Sequence, residues 1–213
     1  IKAITKQMEE QATHYFSVHS NDSADPAGTN WTNDGAKELG AIAIGPRAGA
    51  QGEYGTAVGS YAKADGAQSS AFGVAANASG VAATAAGTNA VAGGASAAAF
   101  GAYANAAGAA STAIGLRAQA KSNESLAVGA FAEAEKHAAA IGSQAKAIGE
   151  QSVAVGGKAE AQAAFGLALG TMASATQQGG IALGAGSLAD RQARAWGFDV
   201  SSGKAMNEDT LLG

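Results

Sequence analysis

Along most of the chain, small and apolar residues recur in a fixed order around glycine. In AIAIGPRAGA (residues 41–50) a short alternating run ends on Gly45. The same frame returns at Gly59, Gly73, Gly87, Gly101, Gly115, Gly129, Gly142, Gly156, Gly170 and Gly184. Every interval is 14 residues except one of 13, between Gly129 and Gly142. Two positions before the landmark glycine, and again five positions after it, the residue is alanine in all eleven copies. Three positions after, it is alanine ten times and Ser187 once. Self-similarity at a fixed period marks a repeat architecture, whose units stack and bury a shared core.

Fourteen residues with two corners suit one coil of two short strands. The landmark glycine makes the first corner, and Gly52, Gly66, Gly80, Gly94, Gly108 and Gly149 mark the second about seven residues on. Tight corners favour glycine, whereas a glycine every seventh residue would break a helix. Coils stacked at ~4.8 Å would make eleven of them a rod roughly 50 Å long.

Alternation along a strand assigns the faces. The invariant alanines point inward, and their restriction to a methyl predicts two sheets packed closer than the usual ~10 Å. The position between the second-strand alanines is mostly polar, as in Lys63, Asn77, Asn105, Gln119, Glu133, Lys146, Glu160 and Ser174. The residue before the landmark glycine instead forms an apolar column: Ile44, Val58, Phe72, Phe100, Ile114, Val128, Ile141, Val155, Leu169 and Leu183. Its one small member, Ala86, falls between Phe72 and Phe100. Either it relieves crowding of successive phenylalanine layers on an axis, or its coil is simply a degenerate repeat.

An alanine methyl contributes ~0.8 kcal/mol, less than the ~1–2 kcal/mol of backbone entropy that each ordered residue loses. A long uncovered apolar column marks an interface. The expectation is an obligate oligomer whose columns meet around one axis. Aspartate at Val128 or Ile141 should then dissociate or unfold it, while Lys146→Asp should do little.

Composition narrows the class. The chain has 31 glycines, 2 prolines, no cysteine, 14% charged residues and a net charge of −4. The acidic balance disfavours nucleic acid as a partner, and without cysteine there is no disulfide or thiolate site. No apolar run reaches the ~18 residues of a membrane helix. The chain opens on Ile1 and is expected to be a piece of a longer protein.

Chemistry is sparse. His14, His19 and His137 lack metal-ligand spacing, and GTNAVAGG lacks the lysine of a phosphate loop. No acidic nonapeptide repeat for calcium is present, and no serine, histidine and aspartate recur in a fixed relation. The reading is a non-enzyme with no cofactor and no metal. Asn21, Asn30 and Asn123 lie in N-x-S/T sequons, a pattern common by chance.

The repeats AIAIGPRAGAQG, TAVGSYAKADGA, TAIGLRAQA and VAVGGKAEAQA resemble the head repeats of YadA-like trimeric autotransporter adhesins. The resemblance implies an all-β, left-handed parallel β-roll of about eleven coils, homotrimeric, on the surface of a Gram-negative cell. It further implies attachment to host extracellular matrix proteins or cells and autoaggregation, with the full-length protein held in the outer membrane by a C-terminal anchor missing here. The alternative is a rigid spacer within a longer fibre, with adhesion carried by another head.

Four segments follow. Residues 1–13, with Ile1, Ile4, Met8 and Gln11 at a and d spacing, form a coiled-coil stub or an adaptor. Residues 14–40 lead into the head and cap it with Phe16 and Trp31. Residues 41–193 are the β-roll, and 194–213, with Trp196 and Phe198, an insertion or cap beyond it. The outward positions of the second strand include Arg47, Tyr61, Tyr103, Arg117, Phe131 and Lys158, a candidate ligand surface because tyrosine and arginine are favoured at hot spots. Its counterpart is adhesion through the whole repetitive surface, with no privileged residue.

Overall fold

The computed structural model describes residues 34–191 and the backbone of 198–199 and 204–205. Its strands are numbered β1 to β24 in chain order. The first coil contributes β1 (Ile42–Ile44) and β2 (Gly49–Ala50), and the eleventh contributes β21 (Ile181–Leu183) and β22 (Leu188–Ala189). All three-residue strands line up in one parallel sheet of eleven, and all two-residue strands in a second. The described residues contain strands and turns only. The chain is a β-solenoid.

Register is strict: Ala43 pairs with Ala57, Ile44 with Val58, and Ala50 with Ala64. Each residue thus stands over its equivalent in the neighbouring coil, which turns a repeated sequence position into a column. The stack also reaches back before the first complete coil. Ala36 bridges to Ala50, Lys37 N–H donates to Ala50 O at 2.9 Å, and Ala50 N–H donates to Gly35 O at 2.8 Å.

The interior is almost wholly alanine. Ala57, Ala62 and Ala64 are fully buried, as are their equivalents through most of the stack. The structure adds a fourth inward position that the sequence reading overlooked, four residues before the landmark glycine. It holds Gly55, Ser69, Ala83, Ala97, Ser111, Ser125, Ala138, Ser152 and Gly166, all buried. A Cβ built on Gly55 would lie 3.5 Å from the Ala64 Cβ across the core. The two sheets therefore pack so closely that the fully buried side chains between them are no larger than serine. Each coil is in effect two halves of seven residues: a small residue, an outward one, an alanine, then a corner.

Both corners place their third residue in the left-handed region, as at Arg47 (φ 58°) and Tyr54 (φ 56°). Such a conformation costs a non-glycine residue ~1–2 kcal/mol. Hydrogen bonds within and between coils hold it in place: Ala62 N–H to Gly59 O at 3.1 Å, and Tyr61 N–H to Pro46 O at 2.9 Å. The landmark glycine has φ of 130° at Gly59, where a Cβ would also stand 2.5 Å from Gly73 O. At Gly80 in the second corner close approach alone demands glycine, since a Cβ there would meet Gly94 O at 1.9 Å.

The 13-residue interval has a local cause. The second corner of that coil, Glu135–His137, has lost its bend residue, and Lys136 (φ 49°) and His137 (φ 60°) are both left-handed. Below it, Ser122 occupies the bend where Gly108 stands one coil earlier. With no bend residue above it, Ser122 has room for a side chain. Pairing in both sheets continues past the deletion, Val128 with Ile141 and Glu133 with Lys146.

Beyond the solenoid, β23 (Phe198–Asp199) and β24 (Lys204–Ala205) pair antiparallel. The proposed stub at 1–13, Phe16, Trp31, His14, His19, Asn21, Asn30 and Trp196 lie outside the described residues.

Candidate functional site

Two surfaces follow from the column arrangement. The first is the outer face of the three-residue strands. There the column running through Ile44, Val58, Phe72, Phe100, Ile114, Val128, Ile141, Val155, Leu169 and Leu183 stands in register, half-buried to exposed in the single chain. Phe72 is 44% exposed and Phe100 42%, with the half-buried Ala86 between them. A second column on the same face carries Ile42, Leu126, Val153, Leu167 and Ile181 among smaller residues. Such a continuous apolar strip differs from the singly scattered surface apolars of ordinary monomers.

The second surface is the ridge along the first corner. Arg47, Tyr61, Tyr103, Arg117, Phe131 and Lys158 were expected on the second strand, and the structure corrects that placement. The corner takes three residues past the landmark glycine and the strand begins only at the fourth, so all six occupy the third corner position. Their φ values lie between 55° and 59°. The conformation turns them away from the core, and all six are exposed.

The ridge divides into clusters. The Arg47 guanidinium carbon lies 5.2 Å from the Tyr61 ring centre. Arg117 lies 5.5 Å from the Tyr103 ring and 6.0 Å from that of Phe131, so one cation is shared between the coils before and after it. Lys158 is two coils beyond Phe131, between Gln144 and Met172 in the column, and joins neither cluster. The second corner carries its own exposed aromatics, Tyr54 and Phe165, which the sequence reading missed. The seven-residue half-repeat would have found them, since they occupy the equivalent corner position.

The outer face of the two-residue strands is mostly polar, with Val91 and Leu188 as exceptions. Lys121 bonds Glu133, and also Glu135 at 2.9 Å. Glu133 hydrogen-bonding, and then that of Glu135, raises the Lys121 pKa above the ordinary lysine value, with burial opposing more weakly. Among the described residues no group of three or more His, Asp or Glu side chains converges as metal ligands do.

Five stretches of the chain, residues 36–62, 64–90, 106–132, 134–159 and 161–187, match the family described as the YadA head domain repeat in two copies. Each match spans two coils, and the one of uneven length holds the shortened coil. Together they cover more than half of the chain, which belongs to this family and is an adhesin-type head. Among solved structures it is similar to the collagen-binding domain of the Yersinia adhesin YadA. That similarity runs at 26% identity over 82% of this chain and 97% of that one, with a TM-score of 0.46. No curated protein matches the chain.

Proposed function

We propose that this solenoid is the head of a bacterial cell-surface adhesin, acting as a homotrimer that attaches to host extracellular matrix or cells and to its own kind. The observation that carries the reading is the division of one repeat into two surfaces. A continuous apolar column runs along the sheet of three-residue strands, and an exposed aromatic and arginine ridge runs along the corner that follows it. The apolar columns of three chains meet on an axis, while the ridges stay outside and repeat around the fibre. Several weak, identical contacts on one rigid body raise avidity without any strong single site. The chain's place on the cell surface follows from that role, through an anchor in the outer membrane elsewhere in the protein.

Two measurements test this reading. Sedimentation of the purified chain is expected to give a trimer, and a stable folded monomer would overturn the assembly. Retention of the protein on plates coated with collagen, fibronectin or laminin, and on cultured cells, tests attachment. No retention on any of them would leave the rod as a spacer.

A further inference from the structure

The hydrogen bonds that tie the second corners together have one gap. In this ladder the third corner residue donates its N–H to the second corner residue of the preceding coil. Gln68 bonds Glu53 O at 2.7 Å, Glu124 bonds Ala109 O at 2.8 Å, and Gln151 bonds Lys136 O at 2.9 Å. Between Asn123 and the shortened corner the rung is missing. Among the described residues the Asn123 carbonyl accepts no backbone N–H, and the amides of Lys136 and His137 donate to no backbone carbonyl. The deletion explains this: without its bend residue the corner cannot reach down to the coil below.

The gap opens into a surface notch of about 450 Å³ lined by Ser122, Asn123, Lys136, His137 and Glu150. Asn123 is held by its Oδ1, which accepts the Ala109 N–H at 3.0 Å and leaves its amide nitrogen available as a donor. His137 Nδ1 lies 3.6 Å from the Glu124 carboxylate at the rim.

The chemistry of the lining selects the ligand. No aliphatic or aromatic carbocyclic side chain contributes, so an apolar ligand would gain little by entering. Lys136 and Glu150, of opposite charge, both line the notch and His137 stands beside Glu124, so neither an anion nor a cation finds a field of one sign. What the lining residues carry is a mixture of donors and acceptors: a hydroxyl, a carboxamide, an imidazole, an ammonium and a carboxylate, beside the Lys136 and His137 amides and the Asn123 carbonyl that the missing rung leaves without backbone partners. Hydroxyl groups, each both donor and acceptor, can complete the open rung from both sides. We propose that the notch is a binding subsite for one neutral sugar unit of a glycan. It lies at the second corner, away from the ridge of the first, and does not depend on the assembly proposed above. An open site of this kind binds weakly, with Kd on the order of 1 mM.

The test is saturation-transfer NMR on the full chain with methyl β-D-glucoside, methyl β-D-galactoside and N-acetyl-D-glucosamine, each at millimolar concentration. At least one should give signal. A variant with one glycine inserted between Glu135 and Lys136 together with Ser122→Gly, which clears the space that the restored bend residue needs, restores a 14-residue coil, rebuilds the rung and closes the notch, so its signal should vanish. Should that insertion fail to fold by circular dichroism, Glu150→Gln with Asn123→Ala takes its place and should reduce the signal at least fivefold. Absence of signal from all three sugars overturns the proposal. So does signal that persists in the closed or substituted notch, or a stronger response to the zwitterion glycylglycine, which would mark the Lys136 and Glu150 charges as the recognised feature.

Discussion

Arg117 lies with its guanidinium carbon 5.5 Å from the centre of the Tyr103 ring, one coil earlier in the same column. Phe131, one coil later, takes the same cation from the other side. Solvent-exposed pairs of this kind contribute ~0.5–1 kcal/mol. With two such pairs on one cation, Arg117→Ala is therefore expected to lower stability by no more than about 2 kcal/mol. If the ridge attaches to ligands, the same substitution should reduce retention on matrix-coated plates severalfold, while Lys158→Ala, outside both clusters, should reduce it far less. Equal losses from the two variants would mean that the whole surface acts without privileged residues.

The apolar column makes a second prediction. Val128 and Ile141 are adjacent in register on the outer face of the first sheet. In the proposed trimer each lies against the other chains, where a carboxylate would be desolvated without a partner. Val128→Asp should dissociate the assembly in sedimentation or prevent folding, at a cost of several kcal/mol. Asn105→Asp, on the polar face between Val91 and Gln119, should leave the mass unchanged. A trimer that tolerates both substitutions would show that the columns do not meet.

Opposite outcomes are expected two residues apart at one corner. Gly80→Ala would drive a Cβ to 1.9 Å from Gly94 O, and backbone cannot yield that far without parting the coils. A loss of ~3 kcal/mol or more, read by denaturant unfolding, is expected. Ala82 has φ of 54°, a conformation that favours glycine. Ala82→Gly should be neutral or stabilise the fold by up to ~1 kcal/mol. Were the two glycine and alanine exchanges to behave alike, the corner geometry described above would be wrong.

The period and the three alanine positions were enough to define coils, faces and a core of small side chains, because parallel in-register stacking turns sequence position directly into a column. What escaped the sequence were features set by how many residues a corner consumes. Alternation counted from the landmark glycine put Arg47 and Tyr61 on a strand, whereas the corner consumes three residues and turns them out at positive φ. The fourth core position escaped because it varies among glycine, serine and alanine, so identity hid what size would have revealed. Lys146 was expected to tolerate aspartate, yet it pairs in register between Glu133 and Glu160, where a third carboxylate would meet repulsion from both sides. The sugar notch had no local signature beyond a 13-residue interval. Only the interrupted hydrogen-bond ladder gives that interval a meaning.

Serine in the fourth core position offers a graded test of the interior. The Ser152 hydroxyl donates to Gly149 O at 2.8 Å and lies 3.3 Å from Ala161 O. The Ser69 hydroxyl is fully buried and makes no hydrogen bond. A satisfied buried hydroxyl contributes ~0.5–1.5 kcal/mol, whereas an unsatisfied one costs ~1–3 kcal/mol. Ser152→Ala should therefore destabilise by about 1 kcal/mol and Ser69→Ala should stabilise by a similar amount. Both are checked by urea unfolding, and a reversed order would place the Ser69 hydroxyl in a bond like that of Ser152.

The last prediction concerns alkaline pH. Lys121 reaches Glu133 and Glu135 on the polar sheet, and those bonds raise its pKa above the ordinary lysine value. A lysine whose pKa is higher in the folded than in the unfolded chain binds its proton more tightly when folded. Its contribution is complete below the ordinary lysine pKa of 10.5 and is lost as pH climbs through the raised folded value. The pair is partly exposed and open to solvent screening, so the contribution is a few tenths of a kcal/mol. Lys121→Gln should lower stability by that amount at pH 7 to 9, and the difference from the unsubstituted chain should shrink above pH ~10.5. Added salt should shrink it as well, because the charges are within reach of counterions. A difference that stays constant through pH 11 would assign the effect of Lys121 to the packing of its methylene stem rather than to its charge.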